Sequence, residues 1–121
     1  MSRIPFGAIV LTDFPFTDLT AKRRPALVVS TDNDLRADVV VAYFTSIPRN
    51  DRDAVAIGPG AGTGLKAPSL VRFDKIATID KGIIAGRIGL AEASWLIDAL
   101  RTFFGVFGFG GLYSPMATKR S

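Results

Sequence analysis

Asp38-Val39-Val40-Val41-Ala42-Tyr43-Phe44-Thr45 is the stretch that decides the fold class of this chain. Valine and aromatic residues suit a pleated backbone, and here apolar side chains occupy both alternating faces. Such a run predicts a strand covered on both sides, hence a central one. Outward from it, residues 7–14 and 25–30 read as two more strands, each rich in β-branched residues and each followed by a break. Pro15 ends the first, and Thr31-Asp32-Asn33-Asp34 supplies turn chemistry after the second. Pro25 stands at the start of its strand, where a missing N–H is tolerated. Downstream, residues 53–57, 69–74, 75–79 and 83–88 read as further short strands, with 69–74 and 75–79 either paired or one bent run. Gly58-Pro59-Gly60-Ala61-Gly62-Thr63-Gly64 cannot lie inside a strand and is expected to be a mobile, flexible connection.

The period changes after Gly89. Leu96, Ile97, Leu100, Phe103 and Phe104 recur at helical spacing while Asp98 and Arg101 fall on the other side, which predicts one amphipathic helix over 91–104. Gly105 is the expected stop. Closely spaced short strands followed by a single late helix predict a mainly β fold, a small barrel capped by that helix. Residues 1–104 form one domain on this reading, and 105–121 are a Gly-rich, then basic tail that need not be ordered.

Composition narrows the chemistry. Among 121 residues, 48 % are hydrophobic and 9 are Phe, more apolar surface than a small barrel interior holds, so some is expected between subunits. A net charge of +4 favours an anionic partner without requiring one. The chain has no Cys and no His, which removes thiolate nucleophiles, zinc–thiolate sites, Ser-His-Asp triads and the commonest general base. Any reaction must therefore run on Arg, Lys, Asp, Glu, Ser, Thr or Tyr. The first residues carry no apolar leader, and the apolar stretch near the C-terminus is broken by Asp98 and Arg101; the expectation is a cytoplasmic protein without a membrane span.

Several motifs fail on inspection. The glycine cluster lacks the Gly-Lys-Ser/Thr of a phosphate loop, since Leu65 follows Gly64. Asp32-Asn33-Asp34 is followed by Arg36 where a calcium loop needs a ligand, so it is a turn. Two others hold more. Lys22-Arg23-Arg24 is the densest basic run, and Pro25 anchors it to a strand, so Arg24 can be aimed at a phosphate from a rigid element. In Arg72-Phe73-Asp74 the two charged residues are i and i+2, which sets them side by side on one strand face. The plain reading is a surface ion pair worth about 0–1 kcal/mol. The functional reading is an acid/base pair, because a carboxylate beside a cation stays ionised and able to accept a proton. Thr45 and Ser46 end the central strand, where hydroxyls commonly cap a turn.

Taken in order, GAIVLTDFPFTD (7–18), KRRPALVVS (22–30), VVVAYFTS (39–46) and GLKAPSLVRFDKIATIDKG (64–82) resemble the MazF/PemK family of toxin–antitoxin ribonucleases. The resemblance implies an SH3-like small β-barrel with a C-terminal α-helix, acting as a homodimer. It implies a toxin that cleaves single-stranded RNA, such as mRNA, at short sequences without a metal or cofactor. In that chemistry the substrate's own 2′-OH attacks the neighbouring phosphate, leaving a 2′,3′-cyclic phosphate and a 5′-OH. A cognate antitoxin protein is the implied partner. Carried over by motif, the catalytic residues are Arg24, Thr45, Arg72 and Asp74. Arg24 would stabilise the phosphorane charge, Thr45 would hydrogen-bond the phosphate or 2′-OH, Asp74 would accept the proton, and Arg72 would assist the leaving oxygen. The same resemblance places Phe16, Thr17, Lys22, Arg23, Ser46, Arg49, Lys66 and Ser69 along the RNA. Where many relatives carry an acid, this chain has Ala8 and Thr20-Ala21-Lys22, so the R-x-D branch is the closer one. The alternatives are a toxin of the same fold that poisons DNA gyrase, and a degenerate barrel that binds RNA or a partner without cutting.

Overall fold

The computed structural model describes residues 4–13, 23–31, 35–45, 52–60, 62–108 and 112. β1 (Ala8–Asp13), β2 (Arg23–Val28), β3 (Asp38–Thr45), β4 (Ala54–Ile57), β5 (Ser69–Asp80) and β6 (Ile84–Leu90) precede one helix, α1 (Ala93–Val106). They form a six-stranded antiparallel sheet in the order β4-β5-β3-β2-β1-β6. The expected central strand is indeed interior. β3 pairs with both β2 and β5, and Val39, Val41, Ala42, Tyr43 and Phe44 are all buried.

Alternation along the strands divides the core in two. Ile9, Leu27, Ala42, Phe44, Val71 and Phe73 point to the face covered by α1, where Trp95, Leu96, Ala99 and Phe103 pack against them. Ala8, Val10, Ala26, Val28, Val41, Tyr43 and Ile79 form a second cluster on the opposite face. The Trp95 indole N–H donates to the Ala56 carbonyl at 2.8 Å and fastens the start of α1 to β4. No Ser, Thr or Asp caps α1: Glu92 is its N-cap and makes no side-chain cap bond. Its hold on the sheet therefore comes from the buried face rather than the cap. The helix runs past Gly105 to Val106, so that glycine does not stop it.

β5 resolves the choice between two strands and one. It is a single twelve-residue strand with a register break: Ala42 faces Ile76 while Tyr43 faces Arg72. The ladder passes over 73–75, an enlarged β-bulge that bends the strand and exchanges its faces. Val71 and Phe73 lie on the helix side before it, and Ile76 does so after it.

The glycine-rich segment corrects an expectation. It is docked, not a free connection. The two outer strands β4 and β6 do not pair with each other, and the described part of 58–64 bridges between them. Leu90 N–H donates to the Gly62 carbonyl at 2.8 Å, and Gly64 N–H donates to the Gly60 carbonyl at 2.8 Å. The Thr63 hydroxyl turns inward to the Gly58 carbonyl at 3.2 Å, and Leu65 is buried behind it. The glycines are there because backbone passes over backbone. A Cβ on Gly64 would stand 2.1 Å from the Ile88 carbonyl oxygen, and one on Gly89 would stand 2.3 Å from the Thr63 carbonyl. Gly64 also has φ +71°, a region that favours glycine. The segment draws the sheet edges together into a barrel-like form.

Candidate active site

Facing residues of antiparallel strands lie on the same side of a sheet, so the register shows which side chains share a surface. One row runs Val10, Ala26, Tyr43, Arg72, Ala54. The adjacent row holds Thr12 opposite Arg24, and Thr45 opposite Leu70. Carrying the β2–β3 register, in which Ala26 faces Tyr43, two residues further sets Arg24 opposite Thr45. Arg24, Thr45 and Arg72 therefore occupy one face of three neighbouring strands. Strands stand ~4.8 Å apart, so that face spans about 10 Å from β2 to β5.

Asp74 joins them from the bulge. Arg72 Nε donates to its Oδ1 at 3.0 Å, and Arg72 Nη2 donates to its Oδ2. This two-pronged grip leaves the side chains 17 % and 29 % exposed, respectively, buried enough to be held in place and open enough to meet a ligand. A fork of this kind fixes the plane of the carboxylate and favours its ionised form. Arg24 and Thr45 are half-buried, beside fully buried Thr12. The face thus carries guanidinium, hydroxyl and carboxylate groups on three neighbouring strands.

Tyr43 lies in the row beneath and is almost wholly buried. Burial pushes its phenol above the ordinary value near 10, so it stays protonated at neutral pH and is not the base. Sequence reasoning took it only as a core residue. Its place directly opposite Arg72 comes from the register break between Ala42 and Tyr43.

Other expected contact residues are dispersed. Arg23, next to Arg24 in β2, points to the opposite face and lies 3.9 Å from Asp13, with both side chains largely exposed. Ser69 also points away from Arg72, and its hydroxyl donates to the Ala67 carbonyl at 3.2 Å. Lys66 is exposed in the connection before β5. Phe16, Thr17, Lys22, Ser46 and Arg49 lie outside the described residues.

Comparison with known proteins supplies the remaining evidence. The chain matches the family of PemK-like, MazF-like toxins of type II toxin–antitoxin systems over residues 6–103. It is 35 % identical over 97 residues to a protein named probable endoribonuclease MazF from Mycolicibacterium smegmatis, covering 74 % of this chain and 86 % of that relative. Its fold resembles an endoribonuclease solved in complex with its cognate antitoxin from a mycobacterial species, with TM-score 0.72 and 23 % identity over 87 % of this chain and 95 % of the other. MazF from Deinococcus radiodurans gives TM-score 0.72 and 21 % identity over 89 % and 99 % of the two chains. A shared face of arginine, threonine and carboxylate, a six-stranded sheet with a late helix, and a family match spanning most of the sequence agree: this chain belongs to the PemK-like, MazF-like toxins of type II toxin–antitoxin systems.

Proposed function

We propose that this toxin is an endoribonuclease that cleaves single-stranded RNA using Arg24, Thr45, Arg72 and Asp74 as its catalytic residues. The observation that carries the reading is the placement of these four residues on one face of β2, β3 and β5, with the Arg72–Asp74 fork already formed. Such a set suits a reaction in which the substrate brings its own nucleophile. Asp74 accepts the proton of the ribose 2′-OH as that oxygen bonds to the adjacent phosphorus. Arg24 and the Thr45 hydroxyl meet the charge that accumulates on the non-bridging oxygens. Arg72 holds Asp74 in plane and offsets charge on the departing 5′-oxygen as the P–O5′ bond breaks. That oxygen takes a proton from solvent and leaves as a 5′-OH, Asp74 returns its proton to solvent, and the other fragment ends in a 2′,3′-cyclic phosphate. Neither Cys nor His is needed, and the chain has neither.

The family match and the antitoxin bound to the mycobacterial relative support a cognate antitoxin protein as partner; the homodimer implied by the family resemblance is proposed with it as the working form. A ribonuclease aimed at mRNA acts in the cytoplasm. No helix among the described residues is long and apolar enough to cross a membrane.

Arg24→Ala tests the reading. The expected result is a loss of roughly a hundredfold or more in the rate of RNA cleavage, the scale of removing one preorganised donor from an oxyanion. The fold should survive, since Arg24 contributes nothing to either buried cluster. A variant that remains as toxic to growing cells as the wild type would favour gyrase poisoning. One that still binds RNA as the wild type does, from a wild type that never cuts, would favour the degenerate barrel.

A further inference from the structure

Asp74 lies in the bulge of β5. Across 73–75 the β3–β5 ladder is interrupted, and the Phe73 N–H is taken instead by the Asp53 carbonyl at 3.0 Å, in the turn before β4. The Phe73 side chain adds an anchor to the bulge from the helix side. It leaves the strand on the face opposite Arg72 and Asp74, is only 3 % exposed, and meets Phe103 of α1 edge to face, with ring centroids 5.7 Å apart and planes at 88°. Phe103 in turn packs at a tilt against Phe107, with ring centroids 5.0 Å apart. An apolar pocket of about 100 Å³, lined by Leu27, Val29, Ala99 and Leu100 among others, opens beside both rings. Phe73 thus has open space beside its ring and the perpendicular Phe103 ring against it.

From this arrangement we infer that Phe103 is a positioning residue for the Arg72–Asp74 fork, acting through Phe73 from the far side of the sheet. The inference rests on the ribonuclease reading for its kinetic consequence, but not for its structural one. Phe73 is the residue between the two charged partners, so a shift of its ring rotates the peptide units on either side. The carboxylate then moves relative to a substrate held by Arg24 and Thr45. Displacement of a reacting group by about 1 Å lowers rates by about a hundredfold, and this route asks for only part of that. The helix therefore tunes the chemistry without touching RNA.

The test compares three variants of the full chain. Phe103→Leu removes the ring and keeps an apolar helix residue. Phe103→Tyr keeps the ring. Val106→Ala trims another α1 residue that packs on the same cluster and serves as a measure of simple destabilisation. The expected result for Phe103→Leu is a fall in kcat of about tenfold or more with KM within about twofold, with Phe103→Tyr near wild type and Val106→Ala retaining its kcat below its melting temperature. Independently of RNA, the Arg72 Nε–H resonance, assigned by its loss in Arg72→Lys, should shift or broaden in Phe103→Leu and not in Val106→Ala. An unmoved Arg72 resonance overturns the inference, as does a kcat for Phe103→Leu no lower than that of Val106→Ala. A moved resonance in a protein whose wild type cleaves no RNA upholds the coupling and removes the ribonuclease reading instead.

Discussion

Asp74→Asn is expected to slow RNA cleavage by about a hundredfold or more, the range contributed by a positioned general base, while shifting the melting temperature by only a few degrees. The amide has nearly the shape of the carboxylate and can still accept one hydrogen bond from Arg72. It cannot take a proton from a 2′-OH. The loss should appear in kcat rather than KM, because Arg24 and Thr45 still meet the phosphate. Stability should change little, since a partly exposed ion pair contributes about 0–1 kcal/mol and the fork is 17 % and 29 % exposed. Steady-state cleavage of a defined single-stranded RNA, alongside a thermal melt, separates the two effects. A variant cleaving within about threefold of wild type would leave Asp74 with the plain role of a surface partner.

The largest effect on stability is expected at a residue far from any chemistry. Gly89→Ala puts a methyl group 2.3 Å from the Thr63 carbonyl carbon and oxygen, and 2.4 Å from the Gly62 carbonyl oxygen, where the contacts are backbone and cannot swing aside. To admit it, the 58–64 segment must lift from β6, giving up the Leu90–Gly62 hydrogen bond and the cover over Leu65. Overpacking of this kind costs about 1–3 kcal/mol or more, which in a domain of this size lowers the melting temperature by roughly 5 °C to 20 °C. Gly86→Ala, three residues earlier on the same strand, adds a methyl group with nothing within 4 Å and should leave the melting temperature nearly unchanged. Equal melting temperatures for the two variants would mean that the glycine segment is the loose connection its composition suggests.

That contrast shows where sequence and structure part. β-branched runs such as Val39-Val40-Val41 were legible because their period is a property of neighbouring residues. The Arg72–Asp74 pairing was legible for the same reason, i and i+2 being a strand-local relation. Arg23 and Arg24 could have been separated by that rule too, yet as one basic run they read as one surface; the structure sends them to opposite faces. The docking of Gly62 and Gly64 on β6 was not legible, because glycine signals backbone freedom equally well in a loose loop and beneath a crossing chain. The bulge left a trace: the helix-facing apolar residues 71, 73 and 76 change from even to odd spacing within β5. Its consequence, a carboxylate held from behind by a helix aromatic, depends on contacts between residues thirty positions apart.

The proposed mechanism also explains why so small a fold suffices. Three strands present the groups, the helix packs behind the β5 bulge, and the reactive oxygen comes from the substrate. Activity should then depend on the ribose hydroxyl at the cut site more than on any enzyme nucleophile.

The most direct measurement uses one single-stranded RNA, with and without a lone 2′-deoxy substitution at the linkage the toxin cuts, incubated with the protein in EDTA and read by end analysis. The expected result is 2′,3′-cyclic phosphate and 5′-OH ends from the all-ribose strand and an intact deoxy-substituted linkage. Cleavage at the deoxy linkage, or products ending in a 5′-phosphate, would contradict it.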